Sequence, residues 1–311
     1  MVSGRYPFMA AANRFLDVHF GVYADGMYDE LMRRYPKIQK QLITLFEDGK
    51  ISTTDPRNLT PDDIKEFVLA LRARGLKDVS ISHDLSAIKN LCIFVSGNAC
   101  VDIAKKQYPT LFMKKRYIRL PVLEKPQYNE VIGHINSFSA SAPERFIRAA
   151  AVVGIAFGAG LRTQEIQHAK IRYLDPNLKF IFLDHVKGSG SYGERRTVPI
   201  RPEVAPALKL YLKERNSNSE YLFNNSSGGP FVSQTLRVDK ELIADGSGIN
   251  FDFRMARRTY AQYLIDEGQP IEYVSVVLGH ANTTTTERAY GRPRDDRVVR
   301  KIIDSWKKGD I

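Results

Sequence analysis

The chain has 311 residues, 43% apolar and 26% charged, enough for two domains of ordinary size, each with a buried core. Its 46 Lys and Arg against 35 Asp and Glu leave a net charge of +11, a surplus that points to a polyanionic partner, nucleic acid first. Two cysteines, Cys92 and Cys100, without CxxC spacing argue against a zinc ribbon or a disulfide framework. No run approaches the ~20 apolar residues that span a bilayer, and the opening MVSGRYPFMAAANRF lacks the apolar core of a signal peptide. A reducing, cytoplasmic setting with no membrane contact is expected.

The first hundred residues read as helical. KIQKQLITLF carries one apolar stripe. NLTPDDIKEFVLALRARG is marked at both ends: Thr60 as N-cap, Pro61 in the first helical position, Asp62 and Asp63 at the positive end, Gly75 to close. SISHDLSAIKNLCIFV follows, with Leu85, Ile88, Leu91 and Cys92 on one face. A helical bundle over residues 1–110 is predicted. Between Val101 and Leu120 six Lys/Arg stand against one Asp, with Pro109 inside, Pro121 just after, and no apolar period. This reads as an extended basic run, and residues 111–125 as a linker whose Lys114, Lys115, Arg116 and Arg119 face DNA phosphates.

A second domain is expected over residues 126–311. RFIRAAAVVGIAFGAG is apolar nearly all round, so it should be a buried helix. KFIFLDHVKGSGSYGERRTVPI is strand, Gly-rich turn, strand. Helical patterns fill the rest, down to a tail in which Val298, Val299, Ile302, Ile303 and Trp306 recur at helical spacing. The predicted class is mostly α with a small antiparallel β-sheet.

Four stretches carry groups suited to anion chemistry. In GAGLRTQEI, Arg162 follows the glycine stop of the buried helix, and Glu165 three residues on can orient its guanidinium. Lys187 sits at the hairpin tip. FRMARRTY opens a helix with Arg254, Arg257 and Arg258, an unusual start for an element that must pack its Tyr260, Ala261, Leu264 and Ile265 face. In VVLGHANTTTTERAY, His280 stands just past a helix that runs from Pro270 to Gly279, and Tyr290 comes ten residues later. Singly, each has a plain structural explanation: a capping arginine, a solvated turn lysine, a histidine that suits a helix C-terminus, a packing tyrosine. Their joint order carries the signal.

That order resembles the tyrosine recombinases, the family of phage integrases and Xer-type recombinases. AGLRTQEI, VKGSGSYGERRTVPI, FRMARRTYAQYLIDEG and VVLGHANTTTTERAY match the family's boxes in order and in approximate spacing, over about residues 125 to 295. The resemblance implies a site-specific recombinase that cleaves and rejoins double-stranded DNA through a 3′-phosphotyrosyl intermediate, without cofactor, metal or ATP. It gives Tyr290 as nucleophile, Lys187 as general acid, Arg162 and Arg257 as the grip on the scissile phosphate, and His280 as a further phosphate contact. It also implies a core-binding N-terminal domain and a homo-oligomer on DNA, a tetramer linked through the C-terminal helix. Guanidiniums suit the task because they offer paired donors to non-bridging oxygens and stay charged at any working pH.

The pattern departs from the family at two points. Arg254 stands where the second box usually has a histidine, and Arg258 likewise replaces a common histidine. The interval from His280 to Tyr290 is one residue longer than usual. An arginine cannot serve as general base, but it can lower a phenol's pKa and bind phosphate. Tyr260, Tyr263 and Tyr273 lie inside earlier helices and are weaker nucleophile candidates. Two alternatives remain open at this stage: a nicking-closing enzyme of topoisomerase type, and a DNA-binding relative that no longer cuts.

Overall fold

The computed structural model describes residues 7–22, 27–112, 120–184, 194–280 and Thr286. The chain forms two compact units, Met1–Arg116 and Tyr117–Ile311.

The first unit is a bundle of α1 (Pro7–His19), α2 (Met27–Glu47), α3 (Pro61–Ala73), α4 (Asp78–Ser96) and α5 (Cys100–Gln107). Phe8, Tyr35, Leu42, Phe67 and Ile88 form its centre, all fully buried. The signals at the start of α3 act as read. The Thr60 hydroxyl accepts from the Asp63 N–H, and the Asp63 carboxylate accepts from the Thr60 N–H at 2.8 Å. α4 stops at Gly97 in the left-handed conformation, φ 70°, which a residue with a Cβ adopts only at a cost.

One expectation fails here. The run from Val101 was read as extended, yet Cys100–Gln107 is a helix. Cys100, Val101 and Ala104 are buried beside α3 and α4, and the Asn98 side chain accepts from the Cys100 N–H at 3.0 Å. Three small apolar residues make a stripe too narrow to stand out among the lysines, and Lys105 and Lys106 suit the helix's negative end. Lys114, Lys115, Arg116 and Arg119 lie outside the described residues.

The second unit is built around α7 (Glu144–Ala159), every residue of which from Ala149 to Ala159 is buried. Around it stand α6 (Lys125–Asn136), α9 (Ala205–Glu214), α10 (Ser233–Ser247) and α11 (Phe253–Asp266). Small residues on α7 admit close neighbours: a Cβ on Gly158 would come 2.4 Å from a methyl of Val204. α8 (Thr163–His168) and α12 (Ile271–Leu278) are short. β1 (Phe180–Leu183) and β2 (Arg196–Pro199) form an antiparallel pair with Phe180 opposite Pro199 and Ile181 opposite Val198. The two strands pair as read, while the segment between them with Lys187 lies outside the described residues, as do Tyr290 and the tail stripe from Val298 to Trp306. The class is mostly α with a small antiparallel sheet. Among the described residues no helix is long and apolar enough to cross a membrane.

Candidate active site

The site forms where α7 stops, α11 starts and α12 ends. α7 closes at Gly160, φ 60°, and a Cβ there would lie 2.5 Å from the Tyr260 ring. Only glycine meets both the left-handed backbone and that approach. The chain turns through buried Leu161 into Arg162, whose extended backbone caps α8. The Arg162 N–H donates to Glu165 Oε2 and its Nη1 to Glu165 Oε1, both at 2.8 Å. One carboxylate thus holds both the backbone and the head group of the arginine.

Glu165 is 1% exposed and gathers further cations. Arg196 Nη2 donates to both of its oxygens, at 2.9 and 3.0 Å. Arg257 Nη1 stands 3.8 Å from Oε2. Burial alone would push the Glu165 pKa up; the charges of Arg196, Arg257 and Arg162 outweigh it and hold the carboxyl below its ordinary range.

The other half of the cage is backbone. Three successive carbonyls at the end of α12 each accept from a different guanidinium: Val277 from Arg196 Nε at 2.7 Å, Leu278 from Arg257 Nη2, and Gly279 from Arg162 Nη2 at 2.8 Å. Arg257 Nη1 also donates to the Gly160 carbonyl at 2.8 Å. The last carbonyls of a helix have no partner within it and carry the negative end of its dipole, so they are natural acceptors for cations. Arg162 is the most accessible of the three, with 29% of its side chain exposed against 12% for Arg257 and 7% for Arg196. Among the described residues three guanidiniums converge on the one Glu165 carboxylate, an arrangement that suits an anion.

His280 follows directly. Gly279 at φ 62° ends α12, and the His280 N–H donates back to the Ser275 carbonyl at 3.1 Å. Its Nδ1 lies 2.7 Å from the buried Thr286 hydroxyl. When Thr286 donates to Nδ1, the ring proton sits on Nε2 and is free for an acceptor. Burial first, then Arg257, Arg162 and Arg196, push the His280 pKa down to about 4 against the pull of Glu165, so the ring is neutral at physiological pH.

The structure therefore brings Arg162, Glu165 and Arg257 together at the end of α12, with His280 as the next residue along the chain. Arg254 lies one turn before Arg257 on the same helix and is exposed. Arg258 donates from Nε to the Pro121 carbonyl at 2.9 Å. Asp252 caps this helix through the Met255 N–H. Tyr260 is 1% exposed, its hydroxyl donates to the Pro199 carbonyl at 2.9 Å, and burial pushes its pKa up, which makes it a poor nucleophile. Arg196 was missed in the sequence. Its signal was there in alternation: Arg196, Val198 and Ile200 share the buried face of the strand and its end, so an arginine had to be spent inside. Among the described residues no group of three or more His, Cys, Asp or Glu is placed to hold a metal ion.

The family model described as the phage integrase family matches residues 121–297, more than half of the chain and the whole of this cluster. The chain belongs to the phage integrase family. Among its relatives, the tyrosine recombinase XerC of Neisseria meningitidis serogroup B (strain MC58) is 24% identical over 298 residues, 92% of this chain and 93% of that protein. XerD of Mycobacterium tuberculosis (strain H37Rv) is 26% identical over 295 residues, 88% of each. The fold is similar to that of the XerH site-specific recombinase bound to a palindromic difH substrate in a post-cleavage complex. There the TM-score is 0.71 at 15% identity, over 96% of both chains.

Proposed function

We propose that this phage-integrase-family chain is a site-specific DNA recombinase that breaks and rejoins double-stranded DNA through a 3′-phosphotyrosyl intermediate. The observation that carries the reading is the cluster of Arg162, Arg257 and Arg196 around Glu165 and the end of α12, beside a neutral His280. Such a site fits a phosphodiester, whose charge builds on non-bridging oxygens during displacement.

In this reading Arg162 and Arg257 grip those oxygens, and Glu165 orients them. His280 adds one neutral donor from Nε2. The Tyr290 oxygen attacks phosphorus, the P–O5′ bond breaks, and Lys187 gives its proton to the departing 5′ oxygen. The phenol proton passes to solvent. The phosphotyrosyl ester keeps the bond energy for rejoining, so the cycle needs no ATP. Arg254 serves electrostatically where relatives carry an imidazole: it lowers the phenol's pKa or binds phosphate. The net charge of +11 suits DNA, with Arg258 and the basic residues Lys114, Lys115, Arg116 and Arg119 on its backbone. The functional unit is a homo-oligomer, a tetramer joined through the C-terminal segment on paired sites, and it works in the cytoplasm.

The test is incubation with nicked duplexes cut from the DNA that flanks the chain's own gene, followed by a search for protein–DNA adducts and for exchange between two duplexes. Adducts with exchange support the proposal. Adducts without exchange indicate a nicking-closing enzyme, and binding without adducts indicates a relative that has lost cleavage.

A further inference from the structure

Arg196 invites a closer question, because Glu165 already has Arg162 and Arg257 beside it. Burying a third charge is expensive unless geometry repays it. What Arg196 adds is a bridge. Its Nη2 takes both oxygens of Glu165 at the start of α8, and its Nε takes the Val277 carbonyl at the end of α12. A planar fork sets the spacing between those two acceptors, as a single ammonium cannot. Its Nη1 is packed on the next part of the same helix end: a Cβ on Gly279 would come within 2.7 Å of it. The Gly279 carbonyl in turn holds Arg162, and the next residue is His280. Arg196 thus touches both supports of the Arg162 guanidinium, Glu165 and the end of α12, and packs one residue short of His280, while remaining 7% exposed itself.

We propose that Arg196 is a positioning residue for strand cleavage: by bridging Glu165 to the end of α12, it fixes where Arg162 and His280 stand relative to the phosphate. The inference rests on the reading of the cluster as the phosphate site.

The experiment uses the full chain as wild type, Arg196→Lys and Arg196→Met. Adduct formation on a nicked duplex from the flanking DNA is followed at saturating protein, and duplex affinity is measured separately. Sulfate, a tetrahedral dianion, is titrated calorimetrically as a probe that needs no cognate site. Both variants should bind duplex within about threefold of wild type yet form adduct about 30-fold more slowly or worse. Lysine should fail to rescue, because charge without the fork does not set the spacing. Sulfate binding should weaken about tenfold in both. Adduct formation in Arg196→Lys within about threefold of wild type would reduce Arg196 to a charge and overturn the proposal. Loss of the folded state in both variants would make it a scaffold residue and do the same. If wild type forms no adduct on any duplex, the recombinase reading fails, and sulfate decides the inference alone. Weaker sulfate binding in Arg196→Lys then supports it, and equal binding, or none by wild type, overturns it.

Discussion

Replacing Glu165 with alanine should destabilise the second unit out of proportion to the atoms removed. The carboxylate is 1% exposed and accepts from Arg196 twice and from Arg162 through both side chain and backbone. Without it, three guanidiniums lose the carboxylate they share. Removing one partner of a buried ion pair costs about 3–5 kcal/mol. Arg162 is 29% exposed, and water takes up part of its loss, which puts the expected figure near the lower end, about 3 kcal/mol. Urea unfolding gives the total, and hydrogen exchange along α7 assigns it to this unit rather than to Met1–Arg116. Sulfate should restore more stability to Glu165→Ala than to wild type, because it supplies the missing negative charge; at a hundredfold excess over its dissociation constant the gain is about 2.7 kcal/mol. Acid sharpens the test. His280 is pushed down to about 4 when folded, so the unfolded chain takes up that proton first, and stability should decline as pH falls from about 6.5 towards 4. Glu165 has its pKa depressed, so its contribution is full above its ordinary range and is lost as pH falls through the lowered value. The alanine variant should lack that second decline. A loss under about 1 kcal/mol, or equal rescue by sulfate in both proteins, would refute the picture of a carboxylate-centred cage.

Gly160→Ala should cost about 2–4 kcal/mol by thermal or urea unfolding, since the left-handed backbone and the 2.5 Å approach to the Tyr260 ring both resist a Cβ. Neutralising Lys114, Lys115, Arg116 and Arg119 should weaken binding to all duplexes alike and reduce the salt slope by about one unit per lost phosphate contact; an unchanged slope would place the segment away from DNA. Arg254→His should keep most of the cleavage rate and Arg254→Ala lose far more, and wild-type activity in the alanine variant would make Arg254 a surface charge.

Much of this architecture was written in the local sequence. Thr60 with Asp63 and the glycines at 97, 160 and 279 act through one or two neighbouring residues, and such signals survive without tertiary context. Arg162 and Glu165 are three apart at a helix start, so their bond was legible too. The bonds of Arg196 were not, although strand alternation placed it inside, because its partners lie on α8 and α12, 31 and 81 residues away. The acceptor role of Val277, Leu278 and Gly279 was out of reach for another reason. It belongs to the backbone and leaves no mark on side-chain identity. α5 escaped because its buried stripe consists of small residues amid lysines.

On the proposed function, Tyr290 becomes joined to DNA. The direct measurement is digestion of the covalent complex formed on a nicked duplex, by protease and nuclease, with mass spectrometry to find the peptide that carries the nucleotide. A 3′-nucleotide is expected on the peptide spanning Tyr290, and no adduct from Tyr290→Phe although that variant binds duplex within a few-fold of wild type. A nucleotide on any other tyrosine, or an adduct that persists in Tyr290→Phe, would contradict it.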